Sequence, residues 1–276
     1  MSIGTALGLG LAFLSTGLIQ FAYLREHAAA AALPALSLRR PLHSLRLLLG
    51  DRTWLKGFSL ETGGFGLYVA ALALASLALV QSVAAGGIGL LAYISARLSG
   101  RRLTRRELVG VGVSILGLLA LGLSLGGGHN PDRPGSTIEI AAWLAATTVA
   151  AGVVLALRHR IGVAVASGIA GGLLFSVGDI ATKVTTQGGA RFAFVVPLIA
   201  GYTLGTALLQ VGYQRGGALT VAGLATLLTN ALPIAAGTVV LGEDVPAGTL
   251  GVLRVLAFAA VTIGAILLAR PEKVRA

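Results

Sequence analysis

The chain has 276 residues, of which 55% are hydrophobic and only 11% charged, with a mean hydropathy of +0.88 and a formal net charge of +11. Soluble domains carry about 25% charged residues, so a globular enzyme or binding domain is excluded for most of the length. The absence of cysteine removes disulfides, thiolate nucleophiles and cysteine-based metal sites.

A membrane span needs about 20 apolar residues, and the chain offers nine such stretches. The first, 3–24, carries no charge. It is too long for a signal-peptide core and lacks a basic start, so it reads as a retained first helix. Residues 25–56 hold six Lys and Arg and read as a loop. A tenth span over 28–50 would place Arg39, Arg40 and Arg46 in hydrocarbon at roughly 2.5–3.5 kcal/mol each. Leu42, Leu45, Leu47 and Leu48 interleave instead with Arg40, His43 and Arg46, the pattern of an amphipathic helix lying on the interface. The later spans are 57–79, 80–96, 107–125, 138–157, 161–181, 192–213, 217–241 and 247–269. The Gly/Pro/Asn-rich loop 126–136 divides the halves. All spans must be helices, since lipid satisfies no open backbone groups and nothing alternates like a barrel strand. The expected organisation is a first membrane repeat over 1–125, an outer loop and connecting helix over 126–160, and a second repeat over 161–276.

The charges sort around these spans. Alternate loops carry six, five, two, one and three Lys and Arg, the opposite loops carry three in all, and Arg254 alone falls inside a span. The positive-inside rule then puts the N-terminus outside and the C-terminus, with Arg270, Lys273 and Arg275, in the cytoplasm. Arg outnumbers Lys 18 to 3 and Ala and Gly are abundant, as in a GC-rich bacterial genome, which points to a bacterial inner membrane. Basic residues spread over loops meet lipid head groups and do not form a nucleic-acid face. The four histidines (His27, His43, His129 and His159) fall in loops without metal-site spacing.

Residues 76–104 align with 218–246 at a constant offset of 142, Gly100 matching Gly242. Five spans separate the copies, so the second is inverted, the usual architecture of alternating-access transporters. The stretch 66–123, with its turn Gly100-Arg101-Arg102-Leu103-Thr104, resembles the half-repeat of the drug/metabolite transporter superfamily, the EamA-like proteins. The second-half turn, Gly242-Glu243-Asp244-Val245-Pro246, keeps the Glu usual in that family, where the first half has Arg101. The resemblance covers 60–125 and 161–269. It implies an all-α polytopic fold of two inverted four-helix repeats and secondary transport without a cofactor. Nine spans with one connecting helix resemble the NIPA-type magnesium transporter branch more than the ten-helix pattern. The proline that the family places early in span three is missing around Ser82–Ala84.

Few polar residues lie at membrane depth, and these are the candidate site. Asp179 in span six is costly there and so a candidate for proton coupling or cation binding, or for a salt bridge to Lys183 one turn on. Arg254 lies at similar depth, suited to pair with Asp179 or to bind an anion. Glu61 faces a vestibule, caps its helix or pairs with Lys56. Asn230 precedes Pro233, which frees a backbone carbonyl at mid-span. Gln210, Tyr202, Gln20 and Tyr68 supply neutral hydrogen bonds, and Tyr213 reads as an interfacial anchor. Glu107 completes a capping box with Thr104. The pairs Gly4/Gly8, Gly168/Gly172 and Gly201/Gly205 allow close helix packing. No nucleophile, acid and base share one depth, so an enzyme is not expected. The leading reading is a transporter of a small polar or cationic solute bound near Asp179, Gln210 and Asn230. A magnesium-type carrier with Asp179 on the ion, and a non-transporting scaffold, are the alternatives. Expected partners are membrane lipids and the solute or ion, with room for a homodimer.

Overall fold

The computed structural model describes residues 3–37, 40–74, 80, 83–84, 86–98, 100, 102–124, 136–185, 188–240 and 248–268. Among these every regular element is helical. The helices are α1 (Ile3–Ala32), α2 (Pro41–Gly50), α3 (Arg52–Leu74), α4 (Gly87–Leu98), α5 (Arg105–Ser124), α6 (Thr137–Ala156), α7 (Arg158–Ile161), α8 (Val163–Thr185), α9 (Val195–Tyr213), α10 (Ala218–Val239) and α11 (Thr249–Leu268). A 3-10 turn, Gly189–Phe194, leads into α9. Among the described residues six helical stretches are long and apolar enough to cross a membrane: Ala6–Ala32, Thr137–Ala156, Val163–Thr182, Gly189–Tyr213, Ala218–Gly237 and Thr249–Leu268. Exposed leucine, isoleucine and valine on their outer faces fit hydrocarbon and not water.

The first expected boundary is wrong. Helix α1 does not stop at Leu24 but runs on through Arg25, Glu26 and His27 to Ala32. The run Ala28–Ala32 favours helix, and the extension is tied down by neighbours on α9. Three of the four histidines therefore sit in helices, His27 in α1, His43 in α2 and His159 in α7; His129 lies outside the described residues. Within 28–50 the second helix, α2, is a separate ten-residue piece. At 1.5 Å per residue it spans about 15 Å, half a bilayer core. Leu42, Leu45 and Leu49 are exposed along it while Leu48 is buried. Asp51 then caps α3, its Oδ1 accepting from Trp54 N at 2.7 Å.

Helix α5 begins with the expected capping box. Thr104 N donates to Glu107 Oε2 at 2.8 Å, and Glu107 N donates back to Thr104 Oγ1 at 3.2 Å. Thr104→Ala is expected to cost about 1 kcal/mol, seen as a lower thermal midpoint in detergent; an unchanged midpoint would show that the box contributes nothing. Its counterpart turn, 242–246, lies outside the described residues, as do Arg101, Ser82, most of the loop 126–136 and the basic C-terminus.

Packing is organised by glycines. Helices α8 and α10 cross at Gly168 and Gly172; a Cβ on Gly172 would stand 2.8 Å from both the Cα and the carbonyl oxygen of Ala225. Helices α8 and α9 cross at Gly201, where a Cβ would meet Leu174 O at 2.6 Å. Helix α1 lies along α3, with Ser15 Oγ donating to Gly64 O at 2.7 Å. Helix α5 lies along α11, with Gly117 close to Val261 N. Gly162, at φ +91°, turns the chain between α7 and α8. One buried apolar cluster joins side chains of α1, α3, α4, α5, α8, α9, α10 and α11, so the two halves share a core.

Candidate functional site

Asp179 is placed by the tight α8/α9 crossing. Because Gly178 has no side chain, the Tyr202 ring lies directly on it, and its hydroxyl donates to Asp179 Oδ1 at 2.6 Å. The sequence candidates Asp179 and Tyr202 are thus a bonded pair. Asp179 is half-buried, and it acts electrostatically on Tyr23 of α1 and Tyr68 of α3. The side chain of Lys183, its expected partner, lies outside the described residues.

A second polar group sits about two turns, roughly 12 Å, further along α9. Gln210 Nε2 donates to Glu26 Oε2 at 2.6 Å, and both residues are 1% exposed. Glu61 of α3 is half-buried and its carboxyl reaches that of Glu26. Tyr23 lies within electrostatic reach of Glu61, Glu26, Asp179 and Tyr202 alike, so it links the two groups. The result is a polar seam between the α1/α3 hairpin and the α8/α9 hairpin. Among the described residues no Lys or Arg is ion-paired with Glu26, Glu61 or Asp179, so the seam is acidic; the expected contact of Glu61 with Lys56 is not made. Ionised groups with no opposite charge are costly at membrane depth, which is why such groups are candidates for ligand or ion handling.

Sequence reasoning missed Glu26, having assigned it to a loop. The available signal was the unbroken helix-forming run to Ala32, which carries Ala22, Glu26, Ala29 and Ala30 on one buried stripe.

Other candidates go elsewhere. Arg254 does not meet Asp179. Its Nε donates to Ser124 Oγ at 3.2 Å and its Nη2 to Ser124 O at 3.1 Å, at the C-terminal end of α5, where a cation complements the helix dipole. Asn230 Nδ2 bonds back to Thr226 O at 2.7 Å within α10 and does not reach the Asp179–Tyr202 pair through any hydrogen bond. Tyr213 is not an interfacial anchor: it is 1% exposed, with its ring edge-on to His27 at 5.6 Å. Gln20 is buried against Gly87 of α4.

Beyond Gln210, the end of the seam is closed by Gln214. The two N–H groups of its Nε2 are shared among Ala30 O at 2.8 Å and Leu33 O and Pro34 O at 3.1 Å, and its Oε1 accepts from Leu36 N at 2.9 Å. His27 Nε2 lies 3.1 Å from Gly216 O beside it. A cleft of about 420 Å³ lined by Leu144, Thr148, Val177, Phe194 and Pro197 is apolar and does not include the acids. Among the described residues no group of three or more His, Asp or Glu is placed to hold a metal ion.

No protein-family model, no curated protein and no solved structure matches this chain.

Proposed function

We propose that this chain is a secondary transporter that moves a small polar or cationic solute across a bacterial inner membrane by alternating access. The observation that carries this reading is the acidic seam: Asp179–Tyr202 and Gln210–Glu26–Glu61 line one interface between two helical hairpins. Cation-attracting oxygens converge in it.

The architecture proposed is nine spans in two inverted four-helix repeats joined by α6. Support comes from the pairing of α1 with α3 in one half and of α8 with α9 in the other, and from the packing of α5 on α11 between halves. In this scheme the hairpins rock against each other about the seam. The sorted Lys and Arg support an outer N-terminus and a cytoplasmic C-terminus.

The test is thermal stability of the purified protein against a panel of amino acids, polyamines, guanidinium, choline and divalent ions. A ligand that binds only the folded state adds about 2.7 kcal/mol at a hundredfold excess over Kd. A stabilising ligand whose effect is lost in Asp179→Asn is the expected result. A folded protein that responds to nothing on the panel would favour the scaffold reading, and a response confined to Mg²⁺ would favour the divalent carrier.

A further inference from the structure

Glu26 and Glu61 meet where the α1/α3 hairpin faces α9. Glu26 packs over Gly57, where an added Cβ would stand 2.8 Å from Glu26 Cγ. Glu61 follows Gly57 by four residues, one turn along the same face of α3, and its carboxyl comes within hydrogen-bonding reach of the Glu26 carboxyl. Gln210 covers the other side through its bond to Glu26 Oε2. Glu26 Oε1 then has no N–H or hydroxyl donor, and Gln210, buried and directed at Glu26, keeps an unpartnered Oε1. Two ionised carboxylates are acceptors only, so they cannot bond to each other. A hydrogen bond across the pair requires a proton on one of them.

Among the described residues the neighbours supply no fixed cation to replace that proton. On α1, Arg25 lies over the Phe21 ring and His27 against Tyr213 and Gly216, while Tyr23 faces the acids. On α3, Arg52 and Lys56 are exposed. Helix α9 presents Gln210 and Tyr213, α4 carries only Arg97, exposed over Tyr93, and α10 has no charged residue. Asp179 of α8 adds negative charge within reach of Tyr23, and the side chain of Lys183 on the same helix lies outside the described residues.

We infer that Glu26 and Glu61 form the proton-coupling site of the transporter, holding one proton between their carboxyls and releasing it to water when a cationic solute enters the seam. One proton leaves for each positive charge that arrives, so the charge of the seam is conserved. The exchange rests on the transport reading given above; the shared proton itself does not.

The test is infrared spectroscopy of the full-length protein in liposomes at neutral pH, followed by proton release into weak buffer on adding guanidinium or choline. The expected spectrum contains a protonated-carboxyl band that shifts in D2O, is lost in Glu26→Gln and in Glu61→Gln, and persists in Asp179→Asn. In either Gln variant the new amide N–H replaces the shared proton. A wild-type spectrum without the band, or a band that survives both Gln variants, overturns the inference without any variant's folding being at issue in the first case. The expected release is about one proton per bound monocation. The band pattern without proton release, and without stabilisation by any solute, would overturn the coupling role and the transport reading together while leaving the shared proton. Stabilisation by a solute in a protein that lacks the band would overturn only the proton site.

Discussion

Gly172→Ala is expected to destabilise the protein by about 2 kcal/mol or more, although alanine is the better helix former by about 1 kcal/mol. The reason is what the new methyl would meet. At Gly172 it would stand 2.8 Å from the Cα and the carbonyl oxygen of Ala225 and 2.9 Å from Leu228 Cβ. Two of those atoms are backbone, so no rotamer change relieves the contact, and α8 must move off α10. Gly168 repeats the problem one turn earlier, 2.7 Å from Val221 O. The internal control is Gly152→Ala in α6, where nothing lies within 4 Å, and which is expected to be neutral or slightly stabilising. Thermal midpoints in detergent compare the two. Equal midpoints would show that α8 and α10 do not touch along this face. Gly172→Leu extends the test and is expected to yield no monodisperse protein, because a γ-branched side chain has no free volume to enter.

These glycines show what was readable in the sequence. The small-xxx-small spacing at Gly168/Gly172 and Gly201/Gly205 marks a packing face, but not which helix is received. The hydropathic runs likewise place most helices to within a few residues, as 138–157 against Thr137–Ala156 and 217–241 against Ala218–Val239. Hydropathy failed where a charged residue is buried by a partner. Arg25 and Glu26 look like the end of a span, yet Gln210, 184 residues away in sequence, receives Glu26. No local pattern encodes that contact. The same limit explains Arg254: its depth invited a pairing with Asp179, but depth says nothing of azimuth, and the guanidinium turns to the end of α5. Asp179 itself was legible because an acid inside an apolar run is rare. Tyr202 was legible only as one of several polar residues until the Gly178 contact fixed its direction.

Gln214→Ala is expected to open one end of the seam. A single side chain there holds four backbone groups of the segment that follows α1, the carbonyls of Ala30, Leu33 and Pro34 and the N–H of Leu36. Ala30 O keeps Leu33 N and Pro34 O already faces water, so Leu33 O and Leu36 N are the groups left without a partner; each costs about 1–3 kcal/mol if it stays buried, so the segment lowers its energy by moving to water. Each 1.4 kcal/mol raises the open population about tenfold. The absence of native cysteine makes the measurement direct. A single reporter, Ala30→Cys, sits at a position that is 0% exposed, and its reaction with a hydrophilic maleimide in detergent reports opening without reference to membrane orientation. Labelling is expected to be slow in the otherwise wild-type protein and about tenfold faster with Gln214→Ala. Gln214→Glu keeps the acceptor for Leu36 N but loses the amide donor, and is expected to label as fast as the alanine variant. Equal rates in all three proteins would mean that the segment is held by its apolar contacts alone, Leu36 among them, and that Gln214 is not a latch. Opening at this end exposes Gln210 and Glu26 next, so a gate here and a proton site one turn deeper would be mechanically joined through the same stretch of α9.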